Sequence, residues 1–246
     1  MAESSHASTD DLDLDNPPFP LTAIDRQVLA TKDEDFHLIT WDDLRSIVGR
    51  STDVSLRLLL LTILPVENRL EALKRKPSDL HKYLRWSFAT KAQYGSINSF
   101  VLKERLHWQL RDPSQPVSAT SFTHYSSTPF SDSRDYAILA NDWPYGFAPG
   151  ISHLLVWSRT PIAVDSERGD VTPESRETIE KYVEGFFVKG LAAASEQHDL
   201  KEARDRVMWF KNWVSLQSVR GIDHVHVLVR DAPKAILQKW LERKDT

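Results

Sequence analysis

The sequence contains no cysteine, so the protein can form neither disulfides nor thiolate metal sites. Its N-terminus, MAESSHASTDDLDLDN, lacks the basic and apolar segments of a secretory signal. The longest apolar run, residues 58–64, is followed by Pro65, and it is far shorter than the roughly 20 residues that a membrane span needs. We therefore expect a soluble, cytoplasmic protein with no membrane partner.

The net charge is small, but the charged residues are unevenly distributed. The 246 residues are 41% hydrophobic and 27% charged, which is ordinary globular composition, and the net charge of -4 argues weakly against a nucleic-acid binder. Residues 1–43 carry 11 acidic and 2 basic side chains, whereas residues 69–111 carry 10 basic and 3 acidic ones. The second segment could hold a phosphate backbone, and a solvated helix face is the alternative interpretation.

The N-terminal half has helical patterns. Residues 1–16 are polar and acidic, and we predict a disordered tail there. Thr40 is a predicted N-cap for WDDLRSIV, which Gly49 would end, and Ser78 is a predicted N-cap for a helix that Gly95 ends. We further expect a helical stretch at about 53–75 and a helix from 96 to 108. Residues 112–133 are rich in Pro, Ser and Thr and predict a loop.

Strand patterns dominate the remaining chain. Apolar runs at 151–157 and 223–229 indicate strands, and residues 135–141 form a short apolar segment. Pro173 and Pro233 mark predicted helix starts. Helices followed by mixed strands and helices predict an α+β fold. We expect residues 17–111 to be a helical, partly basic region that forms one compact unit with an α+β core at 112–246.

The stretch GIDHVHVLVR, residues 221–230, holds two histidines one residue apart. In a strand, His224 and His226 share one face and the valines share the other, which is the better core face. The imidazoles then point toward a cleft or a second layer. They suit nucleophilic or general-base chemistry, or metal binding if His153 is a third ligand. Alternatively, they are hydrogen-bonded histidines of a structural layer. We assign neither a metal nor another cofactor.

Two further segments are rich in residue types that form sites. Asp142-Trp143-Pro144-Tyr145-Gly146 combines an acid, an indole, a phenol and a glycine, although a turn that fills the core would have the same composition. Asn212 lies between two tryptophans that we assign mainly to the core. Arg159 follows the strand at 151–157 and is a candidate for contacting phosphate or a carboxylate.

The C-terminal part resembles histidine-triad (HIT) proteins. HVHVLVR is similar to the end of their signature, with Ile222 where the first histidine of the triad stands, and Gln217-Ser218-Val219 is similar to the residues that precede the triad. Over residues 135–231 the resemblance implies an antiparallel sheet with flanking helices. It also makes His224 the counterpart of the nucleophile and His226 the third histidine. Its phosphate-contacting positions correspond to Asn212, Gln217 and Ser218.

A second resemblance covers residues 17–232. It rests on PPFPLTAIDR, LKRKPSDLHKYLRW, KAQYGSI, NDWPYG, ISHLLVWSRTPI, GDVTPESR, WFKNWVSLQSV and HVHVLVR. Together these segments resemble the fungal N-acetylglucosamine-induced protein family, long a domain of unknown function. The family includes arginine-containing cyclodipeptide synthases of secondary metabolism, and other members are implicated in amino-sugar metabolism. The resemblance implies an aminoacyltransferase that condenses arginine from Arg-tRNA with the aminoacyl group of a second aminoacyl-tRNA to a diketopiperazine.

This reaction needs a group that accepts or activates the first ester, a base for the attacking amine and a carboxylate for the guanidinium. The catalytic candidates are His224, His226, Ser218 and Tyr145. The substrate-binding candidates are Asp142, Trp143, Asn212, Gln217, His153, Arg159 and Asp223. The tRNA-binding candidates are Lys74, Arg75, Lys76, Lys82 and Arg85, whereas Tyr83 and Trp86 are assigned to the core.

Two other functions stay open at this point. A HIT-like nucleotidyl transferase or hydrolase, or a nucleotide-sugar-binding protein of amino-sugar metabolism, would need no tRNA. A non-catalytic protein that regulates a partner enzyme would tolerate substitution of both histidines. The sequence indicates neither the second amino acid nor the oligomeric state.

Overall fold

The computed structural model describes residues 17, 21–48, 68–165, 167 and 169–242. The N-terminal part contributes α1 (Ala23–Leu29), α2 (Trp41–Val48), α3 (Pro77–Tyr94) and α4 (Ile97–Phe100), which continues as a π-helical segment over Val101–Leu106. The strands are β1 (Tyr136–Ala140), β2 (Ile151–Ser158), β3 (Val207–Phe210) and β4 (Asp223–Arg230). The later helices are α5 (Pro173–Val183), the π-helical Glu184–Val188, α6 (Lys189–Ala193), α7 (Leu200–Asp205) and α8 (Lys234–Leu241).

The four strands form one antiparallel sheet in the order β1-β2-β4-β3. The two long strands, β2 and β4, pair over their whole length, from Ile151 opposite Arg230 to Ser158 opposite Asp223. Their central position buries both faces of β4. The predicted α+β class, an antiparallel sheet with flanking helices after a helical N-terminal region, is confirmed.

One face of the sheet is the main apolar core. Val225, Val227 and Val229 of β4 are completely buried there and pack against α5, α6 and α8. A fully buried valine contributes roughly 1.5–3 kcal/mol relative to an exposed one, so this row alone fixes which face of β4 is inside. The prediction that the valine face of β4 belongs to the core is confirmed.

The opposite face of the sheet carries the imidazoles and is covered by the N-terminal helices. At the β3 side, Leu44 of α2 packs with Phe210 and Leu228. At the β1 side, Ile97 of α4 packs with Trp157 and Ile222. The histidines of β2 and β4 lie between these two apolar clusters, so the imidazole face is a buried second layer.

The helix ends follow local chemistry, with one correction. Thr40 caps α2 as predicted, because its hydroxyl accepts from the Asp43 N–H (3.2 Å) while the Asp43 carboxylate accepts from the Thr40 N–H (2.8 Å). Gly95 ends α3 with a φ of +76°, also as predicted. The prediction that Ser78 caps α3 is wrong, because the helix begins at Pro77, whose missing N–H costs nothing in the first turn.

Several other predictions can be compared directly. Ser96 caps α4, and the helical segment ends at Leu106, two residues earlier than predicted, where His107 adopts a φ of +53°. Thr172 caps α5, and residues 112–132 contain no helix or strand. The predicted tail at 1–16, Gly49 and most of the stretch at 53–75 lie outside the described residues. None of the described helices is long and apolar enough to cross a membrane.

Candidate functional site

Two buried imidazoles from the central strands touch each other. His153 of β2 and His226 of β4 are 7% and 5% exposed, and His153 Nε2 lies 2.8 Å from His226 Nδ1. The contact arises because Leu155 is opposite His226 in the register, which places His153 diagonally across from it on the same face. Phe210 of β3 stacks on the His226 ring with its centroid 4.6 Å away. One imidazole therefore donates a hydrogen bond to the other in an apolar setting.

Asn212 and Tyr145 extend this pair into a polar network. The Asn212 amide nitrogen lies 3.3 Å from His226 Nε2 and donates to the Tyr145 hydroxyl oxygen at 3.1 Å. With Asn212 donating, His226 Nε2 is the acceptor, so the His226 proton stands on Nδ1 and is donated to His153. The Gln217 side-chain amide donates to the backbone carbonyl oxygen of Asn212 at 2.8 Å and so holds the backbone at this residue.

Burial keeps the imidazoles neutral. Desolvation lowers the pKa of His153 to about 3, with further lowering by the positive charge of Arg75. Desolvation also lowers the pKa of His226 well below its ordinary value, and neighbouring His153 lowers it further. Burial raises the pKa of Tyr145, against the hydrogen bond from Asn212. Near neutral pH the network thus consists of uncharged donors and acceptors.

One buried acceptor of the network is left open. Asn212 is 6% exposed, and no described residue donates a hydrogen bond to its side-chain oxygen. Such orphan acceptors are uncommon in folded proteins, because an unsatisfied buried polar atom costs about 1–3 kcal/mol. Tyr145 and Gln217 are both half-buried, and Tyr145 is the one that contacts the Asn212 side chain.

A half-buried cation and several aromatic rings lie beside Tyr145. The Arg75 guanidinium carbon is 4.0 Å from the centroid of Tyr83 and 5.6 Å from that of Tyr145. Arg75 donates to the Trp143 carbonyl at 3.3 Å, and no described carboxylate forms an ion pair with it. Trp143 in turn packs 5.2 Å from Trp86. An arginine that stacks on aromatic rings without a carboxylate partner suits an anionic ligand.

His224 occupies a different environment from His226. Its ring packs 4.3 Å from Trp157, and its Nδ1 lies 2.9 Å from the Ile222 carbonyl oxygen. Desolvation lowers its pKa to about 4. The His224 and His226 ring centroids are 5.4 Å apart. His224 therefore borders the network, and its orientation is fixed by the backbone carbonyl of Ile222, the residue just before β4.

The carboxylates proposed for guanidinium binding already have partners. Asp142 pairs with Arg105 at 2.8 Å, and both side chains are partly exposed. Asp223 pairs with buried Lys211 at 3.1 Å and accepts from the Ile162 N–H. Asp142 directly precedes Trp143, whose ring lies 5.7 Å from that of Tyr83. Asp223 instead joins strand β4 to neighbouring segments.

The remaining predicted residues are dispersed. Ser218 is exposed, and Arg159 follows β2, where its guanidinium carbon lies 4.9 Å from the Trp108 ring. Among the predicted tRNA contacts, Lys76 pairs with Asp33 at 2.9 Å, and Lys82 pairs with Asp79 at 3.4 Å. Lys74, which precedes α3, lies 3.4 Å from the Gln27 side-chain oxygen. Arg85 lies within α3 and is half-buried. Arg75 lies beside the polar network, with its guanidinium carbon 5.6 Å from the Tyr145 ring centroid.

The predicted site residues that the structure brings together are Tyr145, His153, Asn212, Gln217 and His226, with Arg75 and Trp143 beside them. Two residues of the network escaped prediction. Asn141 follows β1, and its amide nitrogen contacts the His153 ring at 3.2 Å, while Phe210 stacks on His226. The sequence shows only that each of them lies at the end of a strand. Without the strand order, this position does not reveal that they lie near the histidines. The described residues hold no group of three or more His, Asp or Glu side chains arranged to bind a metal ion.

This fold and site define an α+β protein in which a buried, neutral imidazole network lies beside an arginine. The chain belongs to the family described as "Protein of unknown function (DUF3605)", whose model matches residues 62–230. It is 35% identical over 173 residues to N-acetylglucosamine-induced protein 1 of Candida albicans, covering 67% of this chain and 64% of that protein. The predicted relationship to the N-acetylglucosamine-induced proteins is confirmed.

Two further relatives are similar. The chain is 32% identical over 134 residues to the uncharacterized protein YPL067C of Saccharomyces cerevisiae, covering 54% of this chain and 59% of that protein. It thus spans less than two thirds of the length of either relative. The crystal structure of HTC1 superposes with a TM-score of 0.52 at 26% sequence identity, covering 82% of this chain and 95% of HTC1.

Proposed function

We propose that the protein is an aminoacyltransferase that takes arginine from Arg-tRNA and condenses it with a second aminoacyl group to a cyclic dipeptide. The observation that carries the proposal is the open side-chain oxygen of Asn212, which adjoins neutral His226 and the Tyr145 hydroxyl. An aminoacyl ester presents an amine that donates hydrogen bonds and a carbonyl that accepts them. The Asn212 oxygen matches the amine, and the Tyr145 O–H matches the carbonyl.

The surroundings of the network support a tRNA substrate. Arg75 provides a positive charge without a described carboxylate partner, which suits a phosphate near the tRNA terminus. Tyr83, Trp86 and Trp143 lie beside it as half-buried rings, and aromatic rings stack on unpaired bases. Asp142 now pairs with Arg105, and the guanidinium of the arginyl group would take the place of Arg105 in that ion pair. In this proposal Tyr83 and Trp86 contact the substrate, whereas the sequence assigned them to the core.

The reaction would proceed as two amine attacks. The α-amine of one aminoacyl group attacks the ester carbonyl of the other, a C–N bond forms, and the bond to the ribose oxygen breaks. Tyr145 and Arg75 stabilise the negative charge that develops on the carbonyl oxygen. That charge raises the proton affinity of the His153–His226 pair, which accepts the amine proton and returns it to the departing ribose oxygen, so that tRNA leaves with a free hydroxyl. A second, intramolecular attack closes the ring and releases the other tRNA.

The test is a reconstitution with purified protein, total tRNA, aminoacyl-tRNA synthetases, ATP and amino acids. We expect a cyclic arginine-containing dipeptide by mass spectrometry, and RNase should abolish it. Tyr145→Phe keeps the ring but removes the hydroxyl, and we expect at least about a tenfold loss of product. Tyr125→Phe, at an exposed tyrosine outside the network, is the matched control. Confirmed aminoacyl-tRNA without any product would contradict the proposal.

A second candidate is a nucleotide or nucleotide-sugar transferase or hydrolase with a HIT-like arrangement. Arg75 favours this candidate, because its one guanidinium can bind one phosphate group. A single base could then stack on Trp143, so a mononucleotide would be large enough to make both contacts. The name of the Candida albicans relative, N-acetylglucosamine-induced protein 1, also suits an amino-sugar nucleotide. A rise in melting temperature with UDP-N-acetylglucosamine or AMP, lost in Arg75→Met, would favour this candidate.

A further inference from the structure

Strand β1 forms an edge of the sheet. The N–H and C=O groups of its successive residues point alternately toward β2 and away from it. The Arg159 N–H donates to the Asp135 carbonyl at 2.8 Å, and the Asn141 N–H donates to the His153 carbonyl at 2.9 Å. Residues 135 and 141 therefore bond to β2, and so do the odd-numbered residues between them. Tyr136, Ile138 and Ala140 consequently direct their N–H and C=O groups away from β2. No described strand pairs with that side.

A groove of about 300 Å³ follows this edge. Four consecutive residues, Tyr136–Leu139, form its floor, which means that the groove follows the backbone edge and not one face of the strand. One wall comes from the N-terminal layer and contains Trp108. The other wall comes from the C-terminal helices and contains Phe186 and Trp240. The groove thus lies between the two layers that cover the sheet.

The groove has a positive lining. Arg134, Arg159 and Lys239 border it, against Glu242 as the one acidic residue among its described lining residues. Arg134 pairs with Asp132 at 2.6 Å, whereas Arg159 and Lys239 have no ion-pair partner among the described residues. The Arg159 guanidinium rests over the Trp108 ring at the wall. Two cations are therefore available to a ligand in the groove.

The sequence of the edge strand carries none of the residues that commonly block pairing. Proteins commonly block edge strands with lysine, proline or a bulge, but β1 reads YAILA and pairs regularly with β2. The geometry points to strand addition: we propose that the groove binds an extended acidic segment of another protein, which pairs with the outward groups of Tyr136 and Ile138. Backbone hydrogen bonds would supply affinity, and Arg159 and Lys239 would select acidic side chains.

The test uses the full-length protein and a fluorescent heptapeptide of alternating glutamate and valine, measured by fluorescence anisotropy. We expect saturable binding that weakens as salt rises. Ile138→Pro removes one N–H that points away from β2, so the fold keeps its pairing while affinity falls by about tenfold or more. Ile138→Val keeps the N–H and should bind like the natural protein. The counterpart peptide with lysine for glutamate should not bind.

A double variant, Arg159→Gln with Lys239→Gln, leaves the strand intact and tests the charge separately. We expect weaker binding and a flatter salt dependence. Peptide binding that survives both sets of changes, with melting temperatures unchanged, would overturn the proposal. Equal binding of the lysine peptide would overturn it too. Self-association that Ile138→Pro abolishes, without peptide binding, would show that the edge pairs with a second copy instead.

Discussion

At the scale of single residues, the histidines of β2 and β4 are held neutral by their surroundings. His153, His224 and His226 are each less than a tenth exposed and lie between two apolar clusters. Burial disfavours the imidazolium form, and no described carboxylate compensates for it with an ion pair. Protonation of the folded state is therefore costly, and this has a measurable consequence for stability.

We predict that the free energy of unfolding falls as the pH falls from 6.5 toward 4. The unfolded chain binds a proton on His224 near its ordinary pKa of 6.5, whereas the folded state binds it only near about 4. Between these values the unfolded state holds more protons, so stability rises with pH. The slope is about 1.4 kcal/mol per pH unit for each such histidine. Urea unfolding at several pH values measures it.

The variant His224→Gln isolates one of these contributions. It removes a titrating group, so we expect a shallower pH dependence even though lost packing on Trp157 lowers stability at neutral pH. His107→Asn is the control, because His107 is exposed and asparagine tolerates its positive φ of 53°. A pH slope in His224→Gln as steep as that of the natural protein would contradict this explanation.

Residue-level predictions from the sequence succeeded where they depended on local geometry. The alternation in HVHVLV fixed the face of both histidines, because successive side chains of a strand must point to opposite sides. The environment of Arg75 was not predictable in this way. The sequence groups it with Lys74 and Lys76 as a basic cluster, yet its guanidinium rests on Tyr83 through contacts that depend on how α3 packs.

At the scale of elements, two glycines in the helical layers have opposite roles. Gly95 ends α3 with a φ of +76°, whereas Gly185 lies in the π-helical segment between α5 and α6 and has no positive φ. An added Cβ would meet nothing within 4 Å at either position. Conformation alone then decides the effect of alanine, because L residues other than glycine disfavour positive φ but tolerate helical backbone.

We predict that Gly95→Ala and Gly185→Ala shift stability in opposite directions. Gly95→Ala should destabilise by about 1 kcal/mol, and Gly185→Ala should stabilise by up to about 1 kcal/mol. Thermal unfolding of the two variants beside the natural protein measures both shifts. Each variant serves as the other's control for the added methyl group. Shifts of the same sign would show that packing, not backbone conformation, dominates at one of the two sites.

Elements were predictable where their ends carry a chemical signal. Thr40 and Gly95 mark helix ends through side-chain hydrogen bonds or a positive φ, and both were identified from the sequence, as was the start of α5 at Pro173. The strand order was not, because β4 pairs with β2 across more than 60 intervening residues and nothing local encodes that register. Asn141 and Phe210 were missed as network members for this reason.

At the scale of the whole molecule, the sheet is covered on both faces by different parts of the chain. Helices α5, α6 and α8 cover the valine face, and the N-terminal helices cover the histidine face. Leu44 of α2 is completely buried and shares a cluster with Phe210, the residue that stacks on His226. The site therefore depends on packing between the N-terminal layer and the sheet.

We predict that the N-terminal layer and the sheet unfold together. Leu44→Ala should lower the free energy of unfolding by about 2–5 kcal/mol, because it leaves a cavity against the sheet. If unfolding is cooperative, amide hydrogen exchange should show the same loss of protection at Val225 and Val227 of β4 as within α2. Leu200→Ala, at a leucine that is 49% exposed, is the control and should change both quantities by less than about 0.5 kcal/mol. Protection that falls in α2 but not in β4 would mean that the N-terminal layer opens by itself, and the imidazole network would then be reachable without unfolding the sheet.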